Sequence, residues 1–265
     1  MTTTHRLKIG LIQMRCEKLA IEANLAEVDR YIAEANDRGV EIVGFPEMTL
    51  AGYADPIKQP AAIMHLGGPE VERCLQLTVG RSATAMIGLI EDNPAGKPFI
   101  THVVARSGQR LGHYRKRTIV EDETGWFSPG DIVPVFKQND LTFGLAICAD
   151  IGNEAVFAEC ARQGAQIVFE LAAPGLYGEQ TTRDWQSGFE WWRDKCQTQL
   201  SQYAAQYRLW IAVATQAGRT VDEDFPGGGY VFAPDGRCVY ATPDGAPSAV
   251  YVELDFDTLT CRVIE

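Results

Sequence analysis

The sequence of 265 residues lacks clustered positive charge, a long apolar run and an apolar leader segment. Its net charge is −11 and its pI about 4.9. Because binding to phosphates depends on clustered Lys and Arg, we expect no nucleic-acid partner. Apolar stretches such as 165–173 are too short to cross a bilayer, and the N-terminal "MTTTHRLKIG" does not resemble a signal peptide. We therefore expect a cytoplasmic protein with no membrane partner.

Metal-binding and phosphate-binding motifs are also missing from the sequence. The seven cysteines, an odd number, contain no CxxC pair, and the four histidines form no HExxH motif. The glycine run 227–229 lies beside strand and turn signals, whereas a phosphate loop would precede a helix. We therefore expect no metal and no cofactor, and reduced thiols that mostly fill core positions.

Apolar runs typical of buried strands alternate with helical patterns along most of the chain. The predicted strands are 7–14, 41–45, 84–90, 99–106, 141–147, 166–171, 209–215 and 249–254. Helices are predicted before Gly39, over 154–162 and over about 181–207. Two Pro-Asp-Gly turns, at 234–236 and 243–245, predict hairpins near the end of the chain. This order predicts one α/β domain, residues 1–265, that contains mixed sheet.

Three residues are candidates for chemistry, and each also has a more ordinary explanation. Cys148 follows the strand 141–147, at a position where α/β sheets bind ligands and where a nearby helix N-terminus would favour a thiolate; it also fits a buried core thiol. Glu47, after the strand 41–45, is a candidate base or a simple surface acid. Lys116 lies in the run Arg115-Lys116-Arg117, which by itself indicates a solvated face.

Taken in order, these segments resemble the nitrilase, or carbon-nitrogen hydrolase, superfamily. Its Glu-Lys-Cys triad lies in "PE", "YRK" and "G-x-x-I-C" contexts, which match Pro46-Glu47, Tyr114-Arg115-Lys116 and Gly144 to Cys148. The segments "KIGLIQM", "ARQGAQIVFELAAP" and "GGGYVFAPDG" extend the resemblance over nearly the whole chain. It is the order of the segments that makes the match specific.

The resemblance implies a role for each matched residue. Glu47 would be the general base and Cys148 the nucleophile, while Lys116 and the backbone N–H of Ala149 would stabilise an oxyanion. The family has a second glutamate upstream of an aromatic-x-Pro-Gly segment. Counting back in "EDETGWFSPG" places it at Glu123, with Glu121 as the alternative. Two further residues, Tyr53 and Asn153, are candidates for substrate binding.

The segment after the cysteine departs from the family's amidase pattern "C-Y-D-x-R-F-P-E". Here it reads "CADIGNEA", in which Asp150 agrees and Gly152 replaces an Arg that holds a substrate carboxylate in some members. A carboxylate-bearing substrate is therefore less expected. The predicted helix that carries Trp185, Trp191 and Trp192 would line a pocket or a subunit interface, or would simply contribute to the core.

The resemblance implies a four-layer α-β-β-α sandwich with two mixed sheets, assembled as a homodimer or a higher homo-oligomer. It also implies a hydrolase that cleaves a non-peptide C–N bond of a small-molecule amide or N-carbamoyl compound through a cysteine thioester. A nitrilase and an amide-forming acyltransferase are the alternatives in neighbouring reaction classes. A non-catalytic ligand-binding protein with the same fold is the alternative outside enzymes.

Overall fold

Sixteen strands and four α-helices are present in the computed structural model, which describes residues 6–120 and 123–264. The helices are α1 (Ile21–Asp37), α2 (Pro69–Gln76), α3 (Glu154–Arg162) and α4 (Trp185–Tyr207). The strands are β1 (Arg6–Gln13), β2 (Ile42–Gly44), β3 (Ile63–Met64), β4 (Thr84–Glu91), β5 (Phe99–Arg106), β6 (Gln109–Arg115), β7 (Val135–Gln138), β8 (Leu141–Ile147), β9 (Ile167–Ala172), β10 (Trp210–Thr215), β11 (Ala217–Arg219), β12 (Asp224–Pro226), β13 (Gly229–Phe232), β14 (Cys238–Ala241), β15 (Ser248–Asp255) and β16 (Thr260–Val263).

The strands form two large mixed sheets and one small ribbon. The eight-stranded sheet has the order β16-β15-β1-β2-β4-β5-β6, with β3 paired to β4. The six-stranded sheet has the order β14-β13-β10-β9-β8-β7. Parallel pairs lie at the centre of each sheet, β1 with β2 and β2 with β4 in the first and β8 with β9 and β9 with β10 in the second. The ribbon is β11 with β12.

The two sheets pack face to face, and the helices cover their outer faces. A Cβ atom built on Gly44 of β2 would lie 2.7 Å from Leu171 Cδ2 of β9, so a larger residue there would push the sheets apart. Helix α1 contacts β15 through a hydrogen bond from Tyr251 to the Tyr31 carbonyl, and α2 packs on β5. Helices α3 and α4 cover the six-stranded sheet. The predicted four-layer α-β-β-α sandwich with two mixed sheets is confirmed.

One turn prediction is right and the other is wrong. The Pro-Asp-Gly segment 234–236 joins β13 to β14 as an antiparallel hairpin. The segment 243–245 instead carries the chain from β14 in the six-stranded sheet to β15 in the eight-stranded sheet. Turn chemistry specifies a local chain reversal but not the sheet that the next strand joins, which depends on packing against distant residues.

Candidate active site

Glu47 lies in the segment that follows the end of β2. Its side chain has no exposed surface, and its Oε1 accepts a hydrogen bond from Lys116 Nζ at 2.8 Å. Its Oε2 accepts one from the backbone N–H of Ala173, which follows β9, at 3.2 Å. Burial raises the pKa of Glu47 to about 7, against the opposing effect of the Lys116 charge. A carboxyl group in this state can both accept and return a proton near neutral pH.

Lys116 follows β6 and joins two carboxylates in a network that is almost completely buried. Its Nζ donates to Glu47 and lies 2.8 and 2.9 Å from the two carboxylate oxygens of Glu123. Lys116 and Glu123 are each 1% exposed. Burial alone would lower the pKa of Lys116, but the charges of Glu47, Cys148 and Glu123 outweigh burial and the pKa is raised. The lysine therefore stays a cation beside the nucleophile candidate.

Glu123 is held by contacts from two further parts of the chain. The hydroxyl of Tyr53 donates to its Oε1 at 2.6 Å, and the backbone N–H of Val120 donates to its Oε2 at 3.3 Å. Tyr53 also lines the cavity in front of Cys148. The structure thus places Glu123 in the network, whereas Glu121, the alternative from the sequence, lies outside the described residues.

Cys148 lies at a sharp turn between β8 and a short 3₁₀ segment, Cys148–Gly152. Its φ of 47° is in the left-handed region, which is unusual for a residue with a side chain and presents the thiol at the strand end. Close packing supports this turn, because a Cβ atom on Gly144 of β8 would collide with Cys160 of α3. Cys148 is half-buried as a residue and lines the cavity.

The thiol of Cys148 is protonated at rest. Burial raises its pKa well above the ordinary value, and the negative charge of Glu47 raises it further. The expected effect of a helix N-terminus on the thiol is outweighed by burial, because α3 begins only at Glu154, six residues after Cys148. A protonated thiol needs a base, and Glu47 is the adjacent group whose pKa suits that role.

Asp150 fixes the turn that carries Cys148, although its local sequence context gave it no role beyond family agreement. Its Oδ2 accepts hydrogen bonds from Tyr114 Oη at 2.7 Å and from the Ile147 N–H at 3.0 Å. Its Oδ1 accepts one from the Thr118 N–H at 2.8 Å. These bonds tie the strand before the cysteine to the segment on either side of Lys116. The signal was available, because Asp150 is the one residue after Ala149 that matches the amidase pattern.

A cavity of about 480 Å³ opens in front of Cys148 and has walls from several elements. Ala149 lines it, as do Trp191 and Trp192 of α4, so the tryptophan-rich helix contributes to a pocket as well as to the core. Two charged residues that sequence reasoning missed, Lys195 and Glu223, also line this cavity. No local pattern marked them, because Lys195 faces the cavity only through the packing of α4, and Glu223 lies in the loop between β11 and β12.

Asn153 has a different place from the one predicted. It lines a separate surface depression together with Thr118, and its Nδ2 donates to Thr118 Oγ1 at 3.0 Å. Gly152 is exposed to solvent. In the described parts of the chain, 6–120 and 123–264, no cluster of three His, Cys, Asp or Glu residues could hold a metal ion, and no helix is long and apolar enough to span a membrane.

Fold and side-chain geometry together define an α/β protein with a candidate cysteine nucleophile beside a buried Glu-Lys-Glu network. The sequence profile of the family named carbon-nitrogen hydrolase matches residues 8–261. The chain belongs to the carbon-nitrogen hydrolase family, and the resemblance drawn from its motifs is confirmed.

Several proteins show what this chain is similar to. It is 25% identical over 260 residues to a glutamine-dependent NAD(+) synthetase of Thermotoga maritima, covering 95% of this chain and 42% of the synthetase. It is 29% identical over 146 residues to a bifunctional nitrilase/nitrile hydratase of Lupinus angustifolius, covering 48% and 42% of the two chains. The fold matches an amidase from Nesterenkonia sp. with a TM-score of 0.79 and 24% identity, over 98% and 94% of the two chains. This chain thus spans less than half the length of the synthetase.

Proposed function

We propose that this chain is a cysteine-dependent amidohydrolase that cleaves the C–N bond of a small linear amide or N-carbamoyl compound. The observation that carries the proposal is the position of Cys148 in a cavity that also contains Lys116 between two buried carboxylates, Glu47 and Glu123. A nucleophile, a base with a pKa near 7 and a permanent cation are the groups that acyl transfer from an amide requires.

In the first half of the proposed reaction, Glu47 removes the proton of the Cys148 thiol as sulfur attacks the amide carbonyl carbon. The carbonyl oxygen takes up the electron pair of the broken π bond, and Lys116 and the backbone N–H of Ala149 stabilise the resulting negative charge. The C–N bond then breaks, and the leaving nitrogen takes the proton from Glu47. The products of this half are a free amine or ammonia and a thioester on Cys148.

In the second half, Glu47 removes a proton from water as the water oxygen attacks the thioester carbon. The C–S bond breaks, the sulfur takes the proton back from Glu47, and the carboxylic acid leaves. Glu123 contacts Lys116 and Tyr53 and lines the cavity, so in this scheme it positions the cation and the substrate nitrogen. Each group returns to its initial protonation state, as a catalyst requires.

The comparisons support this reaction class and leave one neighbouring reaction as the second candidate. A variant of the amidase from Nesterenkonia sp. carries the acetamide moiety of fluoroacetamide covalently on its active-site cysteine, which supports a nucleophilic thiol as the reactive group in a protein of this fold. Proteins named nitrilases are also among the relatives, so nitrile hydrolysis is the second candidate. An amide-forming acyl transfer would use the same thioester with an amine in place of water.

The test is intact-mass spectrometry of wild-type and Cys148→Ala protein with a panel of small amides, N-carbamoyl compounds and nitriles, together with ammonia release. Cys238→Ala is the matched control, because Cys238 is an exposed thiol on β14. We expect an acyl adduct and turnover with wild type and the control, and neither with Cys148→Ala. Absence of both adduct and turnover in wild type across the panel would overturn the proposal, and turnover of nitriles alone would establish the second candidate.

We propose two further properties, the first from the charge and hydropathy of the chain and the second from family resemblance. The protein would act in the cytoplasm on a small-molecule substrate, with no nucleic-acid or membrane partner. It would assemble as a homodimer or a higher homo-oligomer, which light scattering of the purified chain would test.

A further inference from the structure

Lys195 is a positive charge in the catalytic cavity that the reaction described above does not use. It lies on α4, one turn after Trp191, and lines the same cavity as Cys148. Its Nζ is 5.6 Å from the centroid of the Trp191 ring, and that ring is 41% exposed. The ammonium group is therefore held against an aromatic face at the cavity wall and is only partly hydrated.

The other charged residues of the cavity wall already have partners of opposite charge. Lys116 is bound by two carboxylates, and Glu223 Oε2 lies 3.1 Å from Lys18 Nζ. Lys195, in contrast, has no ion pair with any residue in the described ranges of the chain. It is thus the one lining charge in these ranges that an ion pair does not compensate, and a cation in a partly dehydrated cavity favours an anionic ligand.

One buried acid interacts with Lys195 but forms no ion pair with it. Glu170 of β9 interacts electrostatically with Lys195, but it is completely buried and neither of its oxygens has a hydrogen-bond partner. Burial raises the pKa of Glu170 well above its ordinary value and so favours the uncharged carboxyl group. The charge of Lys195 is available to a molecule in the cavity.

We propose that Lys195 binds a carboxylate at the end of the substrate remote from the scissile C–N bond. This inference rests on the proposed amidohydrolase function and narrows its substrates to linear amides that carry a terminal carboxylate. A cavity of about 480 Å³ accommodates such a chain between Cys148 and α4. The replacement of a family Arg by Gly152 made such a substrate less expected, but Gly152 is exposed, and in this chain the cation comes from α4 instead.

The test uses pairs of primary amides that differ only at the far end, namely the monoamides of four- to six-carbon dicarboxylic acids and their methyl esters. We expect wild type to prefer the acid in kcat/KM for at least one chain length. In Lys195→Met the ratio of kcat/KM between acid and ester should fall by about 10- to 100-fold, the range for a hydrogen bond to a charged group, mainly through the KM of the acid. Lys195→Arg should keep most of the preference, and added salt should raise the KM of the acid more than that of the ester.

Lys137→Met is the matched control, because Lys137 is an exposed lysine on β7. It should leave the ratio unchanged. If wild type hydrolyses amides without preferring the acid, or if Lys195→Met lowers acid and ester equally, the inference about Lys195 is overturned and the amidohydrolase proposal stands. If wild type turns over no amide of the wider panel, the proposed function itself fails. If Lys195→Met does not fold, the preference of wild type for the acid over the ester, and its retention in Lys195→Arg, still test the inference.

Discussion

Glu47 and Glu123, beside Cys148, are as deeply buried as Glu170 on β9, but only the first two have a cationic partner. Lys116 contacts both Glu47 and Glu123 at 2.8 Å. Glu170 faces the helices, because its neighbour Leu171 faces the other sheet and side chains alternate along a strand. Both of its carboxylate oxygens lack a hydrogen-bond partner in the described part of the chain.

The difference shows that pairing, rather than burial, decides what a buried carboxyl group can do at neutral pH. Burial is the largest cause that raises the pKa of both Glu47 and Glu170. The Lys116 charge limits the rise for Glu47 to about 7. Glu170 forms no ion pair with a described residue, and the charges of Lys116 and Lys195 only partly oppose the rise that burial causes. Glu47 can therefore exchange a proton with a thiol during a reaction, whereas burial favours the neutral form of Glu170.

Removing the Lys116 charge would leave Glu47 and Glu123 without an ion pair, as Glu170 is, and should have the largest effect on activity and stability. Lys116→Met leaves two buried carboxylates without a cationic partner, so we expect kcat/KM for the best amide to fall by about 10²–10³-fold or more. The free energy of unfolding should fall by about 3–5 kcal/mol, as when one partner of a buried ion pair is lost. Kinetics and urea unfolding measure the two effects. Activity within tenfold of wild type would contradict the assigned role of Lys116, and Lys137→Met should match wild type.

The pH dependence of activity tests whether Glu47 is the base. A base must be ionised to take the thiol proton, and the ionised fraction falls tenfold per pH unit below the pKa. With a pKa of about 7, kcat/KM should therefore fall about tenfold for each unit below pH 7 and level off above it. The measurement is kcat/KM between pH 5 and 9 in buffers of constant ionic strength. A flat profile across that range would remove Glu47 from the role of base.

Asp150 is an intermediate case, a buried carboxylate held by neutral donors alone. In Asp150→Asn the amide oxygen can take the place of Oδ2 and accept its hydrogen bonds. The amide nitrogen would then take the place of Oδ1 and face the Thr118 N–H, so that two donors would oppose each other. We expect a loss of about 1–3 kcal/mol in unfolding free energy, the cost of one unsatisfied buried group. We also expect kcat to fall by about tenfold because the Cys148 turn loosens, with a smaller change in KM. Unchanged stability and kcat would show that the three hydrogen bonds do not position the turn.

The sequence predicted those parts of the structure that depend on local pattern or motif order. The strand Leu141–Ile147 and the helix Glu154–Arg162 were predicted with their observed bounds, because strong apolar periodicity and clear flanking signals define them. Glu47, Lys116 and Cys148 were singled out from family contexts, and the structure brings them together.

Other features depend on contacts between distant segments and could not be read from local sequence. Strand β6 lies at the edge of its sheet and contains few apolar residues, so it lacks the alternating pattern from which a strand is predicted. Lys195 faces the cavity only because of how α4 packs, and Glu170 appeared as one polar residue in an apolar run. A buried carboxyl group without a partner contradicts the usual composition of a core strand, so the three-dimensional structure was needed to recognise it.

Glu170→Gln tests the carboxyl group that has no ion pair and should have the smallest effect on activity. A carboxyl group whose pKa is raised in the folded state contributes stability that is fully present below its pKa in the unfolded chain, about 4.3. This stability is lost as pH rises toward the pKa of the group in the folded protein. Gln has nearly the same shape and is neutral at every pH, so it avoids that loss. We expect Tm to match wild type near pH 4 and to exceed it at pH 8 by more than about 2–4 °C, the shift for 1 kcal/mol in a domain of similar size, because each unit of pKa shift is worth about 1.4 kcal/mol. The exposed residue Glu72 on α2 provides the control. If Glu170→Gln and Glu72→Gln change Tm equally at every pH, Glu170 is not a neutral acid in the folded protein.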